Sequence, residues 1–462
     1  MTDQLTLFGA APPPARLRPV HYLGSKARLL DVIEDALDEV APAGPVCDLF
    51  SGSGVVAGRL ARCREVVAVD IQEYARVLAS ALLRPARITA PAVLARLRDT
   101  ASLGPLRELI EHERACLADA AGGRPDALCA ILEQGSIVAE CDDEPAADPE
   151  LARRLRHART ALPPGPDTVL TRYYGGVYFS YAQAAALDAI AAVVRRLPGD
   201  ERDTALAALL GTASDVVTSI GNHFAQPVRP RTRNGGVKPA TVAAVTRRRA
   251  LDVTGLFAAR VAQYAVAPRP GGRGTAIRAD YRDALRSLRG VAAVYADPPY
   301  TRDHYSRFYH VLETMALGDS PVVSTSTIGG RTGPSRGLYR AERHQSPFCI
   351  KSSAPQAFAA LFEGVADLGV PLVLSYSPYA DGHRPRLMTM AQIEALAAAH
   401  FDDVEVRSAG RMAHSKLNAE RVNAAASYEA EILVLCRSES AARRASPATA
   451  GRAAPHRRRP PA

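Results

Sequence analysis

The sequence predicts an α/β protein, an open sheet of seven strands carrying a large and mainly helical insertion. Three observations predict it. Short apolar runs at residues 46–50, 66–69, 275–279, 291–296, 371–377, 404–406 and 429–436 alternate with segments whose apolar residues recur at helical spacing. The middle of the chain, residues 86–269, is rich in alanine and arginine and reads mostly helical. The fourth run ends in Asp297-Pro298-Pro299-Tyr300, and two consecutive prolines stop a strand and force a rigid, extended turn beyond its carboxyl end. That edge is where open α/β sheets hold their ligands. Asp297 offers a fixed carboxylate there, Pro298 a fixed carbonyl and Tyr300 a flat face, a set that suits a planar ring bearing an amine.

At 462 residues the chain exceeds one typical domain and is long enough to bury a sizeable core. A formal charge of +9 and a pI near 9.3 favour a polyanionic partner. Lysine occurs only at Lys26, Lys238, Lys351 and Lys416, the remaining cations being arginine, as expected of a GC-rich genome; clustering of charge therefore informs more than its sum. The seven cysteines form no CxxC pair and have no histidine at zinc spacing, so neither a metal site nor a disulfide framework is expected. Neither a signal peptide nor an apolar run of membrane-spanning length is read, which predicts a cytoplasmic, nucleoid-associated protein without a membrane partner.

In chain order, residues 1–16 end in prolines and read as a disordered tail. Within it, Gln4-Leu5-Thr6-Leu7-Phe8 is similar to the short motif by which bacterial proteins dock on the DNA sliding clamp, the apolar residues filling a pocket and Gln4 adding a polar contact. A leader packed on the body of the protein is the competing reading. His21-Tyr22-Leu23-Gly24-Ser25-Lys26 then precedes an amphipathic helix with Leu29, Leu30, Ile33 and Leu37 at helical spacing. Gly24 and Ser25 suit a tight turn and a helix start, where Lys26 places a cation. In residues 45–58 a strand runs into Ser51-Gly52-Ser53-Gly54 and a helix resumes at Val55, either a nucleotide-type loop or a turn that needs glycine only to pack. The second strand ends in Asp70, an acid placed to accept both hydroxyls of a ribose. No lysine follows the glycines, which excludes a P-loop and leaves a phosphate-free adenosine cofactor as the expectation.

Asp48-Leu49-Phe50-Ser51-Gly52-Ser53-Gly54 with Asp70 resembles the S-adenosylmethionine site of class I methyltransferases, and Asp297-Pro298-Pro299-Tyr300 resembles the catalytic tetrad of the DNA amino-methyltransferases. The order of these elements, with Gly24-Ser25-Lys26 first and a long insertion before the tetrad, is similar to that of the Dam-type (D12 class, alpha-group) adenine-N6 methyltransferases. The resemblance implies a class I, Rossmann-like methyltransferase fold with residues 17–85 and 270–440 as the catalytic domain, 86–269 as an inserted target-recognition domain, and 441–462 as a disordered basic tail. It implies S-adenosyl-L-methionine as cofactor, held by Tyr22, Lys26, Asp48, Phe50, Ser51, Gly52, Gly54, Asp70, Ile71 and Asp280. In the family an acid at the place of Asp280 contacts the cofactor's adenine amine; capping of the next helix is its competing role. Double-stranded DNA is the implied partner, and a cognate restriction endonuclease a further one.

Residues 222–238 hold Arg229, Arg231, Arg233 and Lys238 with no acid, broken by prolines and glycines that forbid a long helix. These four are the expected DNA contacts, against the alternative of a solvated basic loop, and Arg247, Arg248 and Arg249 read as extending the same face. The aromatic stretch 173–181 reads either as a core turn or as a wall of the pocket. After the tetrad, His304 and Tyr305 are candidates for substrate contact, the arginine-bearing loop 320–353 for clamping DNA, and the loop 411–416 for the same side as the tetrad.

The expected reaction is transfer of a methyl group to N6 of an adenine flipped out of DNA. Asp297 and the Pro298 carbonyl each accept one N–H of the amine, and Tyr300 stacks on the ring. An acid at position 297 favours adenine over cytosine N4, where the family more often has serine. Methylation of RNA adenine and a non-catalytic DNA-binding module with a degenerate core remain as alternatives.

Overall fold

The structure, a computed structural model, describes residues 17–97, 104–139, 148–266, 274–302, 304–328, 331–377, 386–409 and 431–438. Gln4, Leu5, Leu7 and Phe8 of the tail, the acidic stretch 140–144, the loop 411–416 and the basic tail 441–462 lie outside the described residues. The strands are β1 (Val46–Asp48), β2 (Val66–Asp70), β3 (Gly274–Arg278), β4 (Ala293–Ala296), β5 (Thr325–Ile328), β6 (Arg331–Pro334), β7 (Leu372–Tyr376), β8 (Asp403–Ser408) and β9 (Ile432–Arg437).

Seven of them form one sheet in the order β3-β2-β1-β4-β7-β9-β8. The first five in that order run parallel, and β9 is antiparallel to both β7 and β8. Parallel strands covered on both faces read as unbroken apolar runs, and β4 and β7 are buried along their whole length. This mixed α/β architecture, with a mainly parallel seven-stranded sheet, fits a class I methyltransferase.

Successive residues of a strand face opposite sides. Val46 and Tyr295 face the helices Leu30–Val40 and Val55–Leu60, packing with Ile33, Leu37, Val56 and Leu60. Cys47 and Val294 face the helices Tyr281–Ser287, Ala354–Asp367 and Met390–Ala398, packing with Leu285, Phe358, Leu361 and Ile393. Both layers leave the carboxyl ends of β1, β2 and β4 uncovered, and the site forms there.

The helices between β2 and β3 attach through the helix Glu73–Leu83. Tyr74, Val77, Leu78 and Ala81 enter one core with the helices Tyr181–Val194, Gly199–Val216 and Val253–Val266, joined by Tyr309 and Leu312. The helices Gly104–Ala121, Asp126–Gln134 and Pro149–Ala161 close a further core around Leu109, Leu128, Ile131 and Leu155. Tyr174, Tyr178, Phe179 and Tyr181 are all buried in these cores. The Tyr178 hydroxyl donates to the Phe224 carbonyl at 2.7 Å.

Three departures from the sequence reading have physical causes. The loop 320–353 contains the hairpin β5–β6, with Thr325 opposite Pro334 and Ile328 opposite Arg331; its polar composition gives no apolar alternation to read. Two arginines of that loop serve the body of the protein rather than reaching outward. Arg336 donates to the Val228 carbonyl at 2.6 Å, and Arg340 makes a two-pronged pair with Asp319 at 2.6 Å on each arm. Arg249 does not extend the face of Arg247 and Arg248: it is buried in an ion pair with Glu113, whose second oxygen accepts the Tyr181 N–H at 2.7 Å. Consecutive helical residues point about 100° apart, so three arginines in a row cannot share one face. Among the described residues, no helix is long and apolar enough to cross a membrane.

Candidate active site

The glycine loop leaves β1 with its backbone held on both sides. Leu49 N–H donates to the Tyr295 carbonyl at 2.9 Å and Ser51 N–H to the Val69 carbonyl at 3.0 Å, tying the loop to β4 and β2. Gly52 (φ +50°) and Gly54 (φ +74°) are both left-handed. A Cβ on Gly52 would stand 2.6 Å from the Tyr22 hydroxyl, and one on Gly54 would stand 2.9 Å from the Ala79 Cα. Gly52 thus gives clearance to a side chain of the cavity wall, whereas Gly54 starts the next helix and lets it pack on the helix Glu73–Leu83.

The loop opens on a cavity of about 1010 Å³ including its mouth, at the carboxyl ends of β1, β2 and β4. Tyr22, Lys26, Asp48, Phe50, Ser51, Gly52, Asp70, Ile71 and Asp280 line it, together with Asp297 and Pro299 of the tetrad and Tyr305. Gly54 sits one step behind the loop, and Pro298 and Tyr300 flank the lining residues. Asp70 accepts the Gly52 N–H at 3.0 Å on one oxygen and the Gln72 N–H at 2.9 Å on the other. Burial pushes its carboxyl up to about 6 despite those bonds. Asp48 accepts the Ala57 N–H at 3.0 Å, and burial pushes it up to about 8. Its other oxygen, the Ser51 hydroxyl and the Gln72 amide oxygen are buried and, among the described residues, have no hydrogen-bond partner. Such orphaned atoms are costly in a closed core and natural in a binding site.

Aromatic packing fixes the rims. Tyr22 stacks on Tyr309 with centroids 4.9 Å apart and also meets Tyr305 at 5.7 Å. The Tyr309 hydroxyl accepts the Leu23 N–H at 2.6 Å, which fastens the turn ahead of Lys26. Phe50 meets the edge of Phe348 at 5.4 Å and Tyr281 at 5.6 Å. Asp280 caps the helix Tyr281–Ser287 through the Arg282 N–H at 2.9 Å while lining the cavity, so the two roles weighed for it are compatible.

At the tetrad, Lys26 Nζ lies 3.0 Å from Asp297 Oδ1 and 3.4 Å from Glu431 Oε1. The Tyr300 hydroxyl donates to the same Glu431 oxygen at 2.9 Å. Burial pushes the Asp297 carboxyl up to about 6; Lys26 opposes the rise and Glu431 adds to it. Burial works against the Lys26 charge, but Asp297, Tyr300 and Glu431 outweigh it and hold the ammonium well above its usual range. Lys26 Nζ lies 5.5 Å and the Arg386 guanidinium 4.9 Å from the centroid of the Tyr300 ring.

The expected DNA contacts do not meet this cavity, with one exception. Arg229 and Lys238 line a second groove with Arg247 and Arg248, over an apolar floor that includes Val217, Val228 and Val245. Arg231 is paired with Asp126 at 2.7 Å and Glu133 at 3.7 Å. Arg233 is exposed at the neighbouring turn. Tyr305 is the exception, donating to the Leu23 carbonyl at 3.3 Å beside Tyr22, and His304 directly precedes its helix, Tyr305–Phe308.

Sequence reasoning passed over Glu431, Gln72, Tyr74 and the segment from His344 to Phe348, all of which adjoin the cavity or the tetrad. Glu431 stands within the last stretch read as a strand, residues 429–436, and nothing in the sequence places it at the tetrad. His344 and Phe348 carried no signal beyond membership of a long loop.

The family model for D12 class N6 adenine-specific DNA methyltransferases matches residues 22–101, from Tyr22 through the glycine loop and Asp70. The "Modification methylase LlaI" of Lactococcus lactis subsp. lactis is 38% identical over 81 residues. That match takes in 18% of this chain and 11% of the relative, so the chain spans only about a tenth of the length of the curated protein it resembles. Over residues 22–101, this chain is similar to the D12 class N6 adenine-specific DNA methyltransferases.

Proposed function

We propose that this protein transfers a methyl group from S-adenosyl-L-methionine to N6 of adenine in DNA, acting at specific sites. One observation carries the reading: Gly52 and Asp70 of the family-matched segment and Asp297 of the tetrad line the same cavity. The residues present fit the cofactor. The cradle at Gly52 would be filled by a Cβ, and the Ser51 hydroxyl and Gln72 amide oxygen are buried there with no partner among the described residues. Asp70 retains lone pairs for ribose hydroxyls, while Phe50 and Ile71 offer apolar surface to a base. When bound, the cofactor supplies a methyl group on a positively charged sulfur.

The tetrad handles the amine. An adenine amine is a weak nucleophile because its lone pair is delocalised into the ring. Asp297 and the Pro298 carbonyl, each accepting one N–H, draw the nitrogen towards tetrahedral geometry and free that lone pair. The Asp297 carboxylate then stabilises positive charge developing on nitrogen, in a buried setting where such an interaction is stronger than in water. Tyr300 supplies a flat face for the base, which must leave the duplex to reach the site. In this reading the helices of 86–269 recognise the target, with Arg229, Arg231, Arg233, Lys238, His304 and Tyr305 as DNA contacts, and the enzyme works on cytoplasmic DNA. Clamp docking through residues 4–8 belongs to the same reading. The name of the Lactococcus relative supports a restriction-modification setting.

The test is transfer of isotopically labelled methyl groups to duplex DNA and to structured RNA, followed by nucleoside analysis. Label in N6-methyladenine from duplex DNA is expected. Label in RNA alone or in cytosine replaces the substrate, and failure to bind cofactor leaves a non-catalytic DNA-binding protein.

A further inference from the structure

Glu431 immediately precedes β9 with its side chain 13% exposed, and it takes no part in the reaction as derived so far. Its Oε1 accepts the Tyr300 hydroxyl at 2.9 Å and lies 3.4 Å from Lys26 Nζ. Its Oε2 is buried and, among the described residues, has no hydrogen-bond partner. Lys26 is itself only 5% exposed and holds Asp297 Oδ1 at 3.0 Å. The group meant to accept the substrate amine is therefore engaged by an ammonium in the substrate-free protein.

That arrangement poses a competition. A buried ammonium left without a carboxylate costs several kcal/mol, so an amine can displace Lys26 from Asp297 only if another acceptor receives it. Glu431 is within reach and has an unused oxygen. We propose that Glu431 is a positioning residue that takes up the Lys26 ammonium as the target amine occupies Asp297, while holding the Tyr300 ring through its hydroxyl. The inference rests on the reading of Asp297 as the amine's acceptor. It gives the cluster a net charge of −1 when both carboxylates are ionised, which opposes the positive charge that develops on the amine nitrogen. Without Glu431 the cluster is neutral and Lys26 has only Asp297 to hold.

Single-turnover methyl transfer to adenine in duplex DNA, at saturating cofactor and at a pH where Asp297 is ionised, tests it on the full chain. Glu431→Gln, which preserves shape, is expected to slow transfer at least about tenfold with cofactor affinity unchanged. The decisive variant adds Lys26→Met: with the ammonium gone, Asp297 is free again, and the double variant is expected to transfer faster than Glu431→Gln alone. Glu431→Gln at the wild-type rate, or a double variant no faster than the single one, overturns the inference, since a merely structural Glu431 gives no rescue. Wild-type protein that binds cofactor but leaves adenine unmethylated overturns the Asp297 reading, and the inference with it.

Discussion

Lys26 Nζ and Asp297 Oδ1 stand 3.0 Å apart, joining the turn ahead of the first helix to the turn after β4 at the floor of one cavity. The contact sets how the site responds to pH. Burial raises the Asp297 carboxyl to about 6, Lys26 opposing the rise and Glu431 adding to it. Stabilising the positive charge on the amine nitrogen requires an ionised carboxylate, so single-turnover transfer should fall as pH drops through about 6, well above the usual carboxylate value near 4. Lys26→Met removes the opposing charge and should move this acid limb to higher pH. Asp70 titrates in the same range, so the profile is measured at saturating cofactor. An acid limb that stays in place after Lys26→Met contradicts the pairing.

Replacing the carboxylate outright is the stronger perturbation. Asp297→Asn keeps the side-chain volume but turns one oxygen into a donor facing an amine that also donates. Transfer should drop by at least about 100-fold, the scale on which a preorganised electrostatic partner matters. Calorimetric affinity for the cofactor should change little, because Asp70 and the glycine loop lie apart from the substituted atom. A parallel loss of cofactor binding would place Asp297 in the wrong half of the cavity.

The two halves of the site differed in how openly the sequence displayed them. Strands β1, β2, β4 and β7 were legible because burial on both faces leaves unbroken apolar runs, and Gly52, Asp70 and Asp297 because they sit where those runs stop. What escaped depends on long-range packing. Glu431 acquires meaning only when β9 inserts beside β7 and brings it to Tyr300. Arg249, Arg336 and Arg340 look like their neighbours in sequence and are separated only by what they meet in the fold. Phe348 comes to Phe50 from a loop whose composition has no period at all.

The two left-handed glycines should fail in different ways. An alanine at either position costs about 1–2 kcal/mol from backbone conformation. At Gly52 the added carbon meets the end of the Tyr22 side chain in the cavity, so Gly52→Ala should chiefly weaken cofactor binding, by at least about tenfold for such a strained contact. At Gly54 it meets the backbone of Ala79, so Gly54→Ala should chiefly lower the Tm by loosening two helices. Titration calorimetry and thermal melts on both variants check the contrast, and equal effects on both readouts would refute it.

The buried Arg249–Glu113 pair ties Arg249 to the helix Gly104–Ala121, with the guanidinium also donating to the Gly176 carbonyl. Removing one partner leaves a charge buried alone, so Arg249→Met should cost about 3–5 kcal/mol in denaturant unfolding. Adding Glu113→Gln should recover part of that loss, although the Tyr181 N–H keeps an acceptor only if the amide oxygen turns towards it. A double variant less stable than the single one would mean that the carboxylate's bond to Tyr181, and not the ion pair, is what holds the junction.

The cationic groove and the nearby Arg231 supply the last test, because the arginines expected to reach DNA are not equivalent. Arg229 and Arg247 are exposed and, among the described residues, have no ion pair, whereas Arg231 is already matched by Asp126 and Glu133. A cation that neutralises a phosphate releases a counterion, so each such contact steepens the salt dependence of binding by about one unit of slope. Arg229→Ala and Arg247→Ala should each weaken duplex binding and lower the slope of log affinity against log salt by roughly one. Arg231→Ala should change that slope less, since its charge is already spent within the protein. Fluorescence anisotropy across a salt series measures all three; equal slopes in wild type and in both groove variants would remove the groove from the DNA path.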